Sequence, residues 1–255
     1  MIEVRQLKKS FGAHRVLDGV DLRIRQGESV VIIGRSGGGK SILLKHLIGL
    51  LRPDSGEVRV DGEDISRLDE RALIRVRRKF GMLFQGAALF DSLTVEENVG
   101  FVLRREGRHT AAEIASRVAE SLDMVELAGT GRKKPSELSG GMRKRVGLAR
   151  AIVYRPEIVL YDEPTTGLDP VVSDSIDKLI VRVCERLKVT SVVVTHDMRS
   201  VRTVGHRVLL LHEGRIYTEG TPAELVASPD PVVSRFVQGI SDAKDHEFSG
   251  ETRVA

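Results

Sequence analysis

Ser29-Val30-Val31-Ile32-Ile33-Gly34-Arg35-Ser36-Gly37-Gly38-Gly39-Lys40-Ser41 is the stretch that decides the fold. An apolar, β-branched run of strand length stops at Gly34. From about Ser41 the apolar residues Leu43, Leu44, Leu47, Ile48 and Leu51 recur as one helical stripe, which Pro53 is expected to end. Between strand and helix, residues 34–41 match G-x-x-x-x-G-K-[ST] in the context that gives the pattern its meaning. Small residues at Gly34, Ser36, Gly37, Gly38 and Gly39 let successive backbone N–H groups turn inward, and the following helix points its positive end at the same spot. Such a cradle holds phosphates. Lys40 then reaches the β- and γ-phosphates, and the Ser41 hydroxyl ligates Mg²⁺.

Outward from this loop, the pattern divides in three. Residues 2–7, 16–24 and 57–60 read as strands, with Asp61-Gly62 as a hairpin turn, so the N-terminal part is β-rich. From about residue 86 to 150 strand signals vanish, and helical patterns occupy 95–104, 111–122 and 142–153. After Pro156 strands at 158–161, 191–195 and 207–211 alternate with a helix through 171–187, which implies a parallel sheet covered by helices. The middle stretch is then a helical lobe inserted into an α/β core. Residues 241–255 are polar and aperiodic and read as a tail beyond a single domain of residues 1–240.

The 255 residues carry 40 Lys+Arg against 36 Asp+Glu, a formal charge of +4, and 41% hydrophobic residues. That balance gives no ground for a nucleic-acid binder. No apolar run approaches the roughly 18–20 residues that span a bilayer, and no signal-like stretch opens the chain, so a cytoplasmic protein is expected. The single Cys184 leaves no internal disulfide and is expected to serve as a small buried hydrophobe.

Val159-Leu160-Tyr161-Asp162-Glu163 supplies the remaining chemistry. An apolar strand ends in two carboxylates, where α/β sheets place their ligands. Asp162 is positioned to hold Mg²⁺ and Glu163 to act as general base on the attacking water. Gln85 follows an apolar run and is a candidate for Mg²⁺ and the water; His196 follows another and is a candidate for the γ-phosphate; Asp169 lies just beyond the carboxylates. Leu138-Ser139-Gly140-Gly141-Met142 forms a second anion site, since Ser139 is a good N-cap and the glycines bare backbone donors at a helix start. Two phosphate-facing helix starts with one complete pocket predict a head-to-tail dimer sharing two ATP molecules.

In this order, the Lys40 loop, Gln85, the Leu138–Met142 signature, the Asp162–Glu163 strand, Asp169 and His196 resemble the ATP-binding cassette (ABC) ATPases over about residues 1–238. The resemblance implies a P-loop NTPase (RecA-like) core with an N-terminal antiparallel β subdomain and an inserted α-helical signature subdomain. It also implies ATP and Mg²⁺ as ligands, adenine stacking on Phe11 with Val16 beside it, and contact from the position of Ile42. Two residues depart from the commoner family wording, Arg35 for Pro or Ala and Ile42 for a hydroxyl residue.

The loop Phe84-Gln85-Gly86-Ala87-Ala88-Leu89-Phe90-Asp91-Ser92-Leu93, the stretch from Glu137 to Arg150 and the stretch from Asp230 to Ile240 are similar to the MlaF-type ATPases of Mce-associated phospholipid transporters. That likeness implies an ATPase coupled to phospholipid movement, peripheral on the cytoplasmic face of the inner membrane. Its partners would be a second copy of itself, a membrane permease docked at residues 85–93 and an accessory lipid-binding Mce-type subunit. The basic stretches 71–79 and 143–150 raise a competing reading, a soluble ABC ATPase acting on DNA or ribosomes, but helical placement makes them solvated faces with internal pairing. A nucleotide sensor without turnover is disfavoured by the presence of both Glu163 and His196.

Overall fold

Two sheets with different burial organise residues 1–240, which are those the structure, a computed structural model, describes. In the first, β1 (Ile2–Phe11) pairs antiparallel with β2 (His14–Ile24) on one side and β4 (Ser55–Val60) on the other. The short β5 (Glu63–Asp64) follows through Asp61-Gly62, both at positive φ (52° and 84°), as a primed two-residue hairpin requires.

The second sheet has the order β10 (Arg215–Gly220), β9 (Arg207–His212), β3 (Ser29–Ile33), β8 (Thr190–Thr195), β7 (Ile158–Asp162), β6 (Phe80–Leu83). All neighbours run parallel except the edge pair β10–β9. Its central strands are buried on both faces, which explains their unbroken apolar wording. Val31, Ile33, Tyr161, Val193 and Leu210 belong to one core; Val30, Ile32, Leu160, Val192 and Leu209 belong to the other, together with the inward residues of the antiparallel sheet. Each such side chain contributes about 1.5–3 kcal/mol of burial.

The helices fill these two faces. On the β-sheet side lie α1 (Lys40–Leu47) and α2 (Glu70–Arg77). The first stops well before Pro53, because Gly49 takes φ 69° and the N–H groups of Gly49, Leu50 and Leu51 turn back to the carbonyls of His46 and Lys45. Residues 86–150 hold α3 (Val95–Glu106), α4 (Ala111–Met124) and α5 (Gly140–Ile152) and no strand. Thr94/Glu97 and Thr110/Glu113 capping boxes start the first two. Their apolar faces join the same core as one face of the parallel sheet, so the helical lobe and the sheet share packing. Then come α6 (Pro170–Leu187), α7 (Met198–Val204), α8 (Pro222–Val226) and α9 (Pro231–Gln238). Cys184 is half-buried and packs on the core beside the Tyr161 hydroxyl, 3.5 Å from its Sγ. The expected tail, residues 241–255, lies outside the described residues.

One buried acid in this frame gives a measurable consequence. Asp177 on α6 accepts a 2.7 Å hydrogen bond from the Ser200 hydroxyl of α7, while its other carboxylate oxygen has no partner. Burial, reinforced by Asp197 and Asp174 against the Ser200 bond and Arg199, pushes its carboxyl up to about 6. The folded chain therefore holds this proton more tightly than the unfolded one, and that stability, on the order of 3 kcal/mol, is present below about pH 4 and lost as pH rises to about 6. Asp177→Asn is expected to flatten this part of the pH dependence of Tm, followed by circular dichroism.

Candidate active site

The parallel register sets the site. Ile33 pairs with Thr195 and Asp162 with Val194, so the chain leaves β3, β7 and β8 side by side at Gly34, Glu163 and His196. The exit from β3 is tight: a Cβ on Gly34 would sit 2.5 Å from the Leu211 carbonyl oxygen. At the other end of the loop Gly39 takes φ 95°, and a Cβ there would meet Val16 Cγ1 and Leu17 Cδ2 at 3.0 Å. Val16 is thus packed under the loop. Gly37 is also left-handed (φ 75°), and Gly38 donates its N–H to the Arg35 carbonyl at 3.0 Å.

Lys40 opens α1 and is 5% exposed. Its Nζ donates to the carbonyls of Gly34 (2.9 Å) and Arg35 (3.0 Å) and lies 3.5 Å from Glu163 Oε1. Burial pulls its pKa down, and the Glu163 carboxylate opposes that pull. The Ser41 hydroxyl donates to Asp162 Oδ1 at 2.7 Å. A hydroxyl and a carboxylate converging in this way suit a hard cation such as Mg²⁺. Among the described residues no group of three or more His, Cys, Asp or Glu could hold a metal ion.

Glu163 is buried, with φ 48°, a left-handed backbone that is uncommon for a residue with a side chain. Its N–H donates to the Val194 carbonyl at 2.9 Å. Its Oε2 accepts from Thr166 Oγ1 (3.2 Å) and stands 2.9 Å from His196 Nδ1. The structure therefore joins Lys40, Glu163 and His196 in one polar group and Ser41 with Asp162 in a second, the two meeting where Asp162 is followed by Glu163. Thr166 also bonds Glu163 and was not singled out from sequence, although a hydroxyl three residues after that carboxylate was the available signal.

The other candidates surround this cluster. Gln85 is exposed, and its backbone carbonyl accepts from Lys144, whose Nζ also reaches the Glu163 carbonyl. Asp169 is the N-cap of α6, accepting from the N–H groups of Val171 and Val172. Ser139 caps α5, accepting from Met142 N at 3.2 Å. Cβ atoms on Gly140 and Gly141 would touch Leu168 and Val172, so this turn abuts the Asp169 segment; no hydrogen bond joins Ser139 to Lys40 or Ser41. Phe11 is 48% exposed with Lys9 Nζ 5.6 Å from its ring centre, which removes the alternative that it is a core aromatic. Ile42 packs its side chain partly into the core. In the 84–93 loop Leu89 packs on the lobe core, whereas Phe90 is 46% exposed against Phe101.

The basic stretches behave differently from one another. Arg75, Arg77, Arg78 and Lys79 pair with Glu63, Glu70, Glu106 and Asp61, as a solvated face with internal pairing should. On α5 the expectation fails: Lys144 is 6% exposed, and Arg150 donates to the Ala87 and Ala88 carbonyls.

A Gly-rich loop between a buried strand and a helix, with a lysine, a serine and two carboxylates at one sheet edge, defines a P-loop nucleotide hydrolase with a mixed α/β fold. The ABC transporter family model matches residues 17–166. The chain is 42% identical over 257 residues to a probable ribonucleotide transport ATP-binding protein, mkl, of Mycobacterium leprae, covering 98% of this chain and 74% of that one. It is 40% identical over 242 residues to the intermembrane phospholipid transport system ATP-binding protein MlaF of Haemophilus influenzae, covering 95% and 92%. Among solved structures, the dimeric post-hydrolysis state of the ATP-binding cassette MJ0796 bound to ADP and Pi is similar with TM-score 0.80 and 36% identity, over 87% of this chain and 99% of that one. The chain belongs to the ABC transporter family and is one of its ATPase cassettes. No helix among the described residues is long and apolar enough to cross a membrane.

The packing under the loop is testable. Gly39→Ala forces a left-handed alanine against Val16 and Leu17, and is expected to cost about 1–3 kcal/mol, read as a lower Tm together with weaker nucleotide binding by titration calorimetry.

Proposed function

We propose that this ATPase subunit drives phospholipid movement through a membrane permease, with residues 1–240 as the motor and residues of about 86–150 as the lobe that meets the permease. The observation that carries the reading is the similarity of the chain to MlaF across nearly the whole length of both proteins. The loop at 85–93 and the signature stretch 137–150 support it through their wording. The mkl relative, named for ribonucleotide transport, makes the cargo the point to be tested.

Within the motor, Lys40 and the backbone of residues 34–41 hold the β- and γ-phosphates of ATP, and Phe11 carries the adenine above Val16. Ser41 and Asp162, with Gln85 nearby, would hold Mg²⁺, which supplies charge neutralisation on the phosphate oxygens. Glu163 accepts the proton of the attacking water through its carboxylate, oriented by Thr166 and His196. His196 also faces the γ-phosphate side of the site. Ser139, Gly140 and Gly141 complete the site of a second copy, helped by Asp169 beside them, so two copies close on two ATP molecules and part after cleavage. The dimeric state of MJ0796 supports this arrangement. An Mce-type lipid-binding subunit would accompany the permease, and the cassette would sit on the cytoplasmic face of the inner membrane.

The permease complex, purified from native membranes and reconstituted into phospholipid vesicles, is expected to transfer labelled phospholipid on ATP addition and to lose that transfer with Lys40→Ala. Transfer of nucleotides or amino acids instead would overturn the phospholipid assignment. Glu163→Gln is expected to slow hydrolysis by about 10²–10⁴-fold while leaving an ATP-dependent dimer visible by analytical ultracentrifugation.

A further inference from the structure

Lys144 is a buried cation that the reaction scheme leaves without a task. It lies on α5, five residues after the Ser139 cap, and its Nζ donates to two backbone carbonyls, those of Gln85 and, at 3.2 Å, Glu163. No carboxylate takes it as an ion-pair partner among the described residues, although the Glu163 and Asp162 charges oppose the downward pull of burial on its pKa. A lysine that desolvates its charge to hold two carbonyls must fix something the fold would not otherwise keep. One carbonyl belongs to unusual backbone and the other lies just before such a stretch. Glu163 is left-handed, and the loop after Gln85 holds Ala87 and Ala88 left-handed in succession (φ 59° and 48°). On the same helix, Arg150 donates to the Ala87 and Ala88 carbonyls at 2.7 and 2.6 Å. Gly147 between them lets the loop approach, since a Cβ there would meet Leu83 and Ala87. From α3, Asn98 holds the far end of the loop through the Phe90, Leu93 and Thr94 carbonyls.

We infer that Lys144 is a positioning residue for hydrolysis, tying the Gln85 backbone to the Glu163 backbone so that displacement of the 84–93 loop is passed to the carboxylate that activates water. The inference rests on the reading of Glu163 as general base. With the loop in place the lysine clamps Glu163 in its left-handed turn and aims the carboxylate; with the loop displaced the clamp loosens and turnover falls. ATP binding, which depends on the Lys40 loop, does not pass through Lys144.

The test is the ATPase activity of the assembled permease complex carrying Lys144→Met, Lys144→Gln and Glu163→Gln, with melting curves for each. Lys144→Met and Lys144→Gln are expected to lower kcat at least tenfold with less than a threefold change in KM for ATP and a Tm above the assay temperature. In single-turnover measurements, Lys144→Met added to Glu163→Gln is expected to cause no further loss, because the lysine acts through that carboxylate. A wild-type kcat in both Lys144 variants while Glu163→Gln is slow overturns the inference alone. So does a rise in KM at unchanged kcat, an independent tenfold loss in the Glu163→Gln background, or unfolding of both Lys144 variants, which would mark a purely structural lysine. A fully active Glu163→Gln complex overturns the general-base reading instead, and the inference falls with it.

Discussion

The level register of three parallel strands is the constraint on which the rest of this molecule depends. Because Ile33 stands opposite Thr195 and Asp162 opposite Val194, three chain exits open at one sheet edge within hydrogen-bonding reach of each other. Pairing at adjacent backbone positions, not side-chain affinity, brings the phosphate loop to the carboxylates. A slip by one residue would also turn every apolar side chain of the slipped strand to the opposite face. Both faces of this sheet are packed, one by the helical lobe and α6, the other by α1 and the antiparallel sheet, so such a slip is opposed on both sides.

That edge concentrates charge that water would ordinarily solvate. Asp162 and Glu163 are buried, and so are Lys40 and Lys144. Two negative and two positive groups balance locally, yet neither lysine is a simple salt-bridge partner. Lys40 spends two hydrogen bonds on the Gly34 and Arg35 carbonyls, and Lys144 bonds the Gln85 and Glu163 carbonyls. Most of the hydrogen bonding of the two lysines is therefore directed at backbone carbonyls, with Lys40 also 3.5 Å from Glu163 Oε1. Lys40 in particular can exchange its carbonyl partners for phosphate oxygens with no change in the register beneath it.

Much of this was legible in the amino-acid sequence, because phosphate chemistry restricts which residues can do the work. Gly34–Ser41, Asp162, Glu163 and His196 are called for by charge, size and position at strand ends, and those constraints act locally. What escaped the reading depended on distant partners. Pro53 looked like the stop of α1, but the reversal is made four residues earlier by Gly49 and the carbonyls of Lys45 and His46. The edge strand β10, running antiparallel to β9, has only Ile216 and Tyr217 as apolar residues and alternates exposed and half-buried positions, so no apolar run marks it in the sequence. Lys144 and Arg150 read as members of a basic, solvated face. Their place on the stripe of Gly141, Gly147, Leu148 and Ala151, which faces inward, was the sign that at least one of them was buried.

The helix bearing that stripe ties the lobe to the strand end that carries the carboxylates. α5 has 13 residues and so spans about 20 Å. At its first turn the Ser139 cap and Gly140–Gly141 lie against Leu168 and Val172; at its third turn Arg150 grips the loop carbonyls; between them Lys144 reaches the backbone of Glu163. Arg145, on the next face, reaches the Ser175 hydroxyl of α6 and the Val125 carbonyl. The loop that exposes Phe90 is held by its backbone, from α5 by Arg150 and from α3 by Asn98. That same α5 carries the Ser139 cap at its start and, through Lys144, holds the backbone carbonyls of Gln85 and Glu163. The 84–93 loop, the Glu163 backbone and the Ser139 turn are thus joined by one helix bonded along its length.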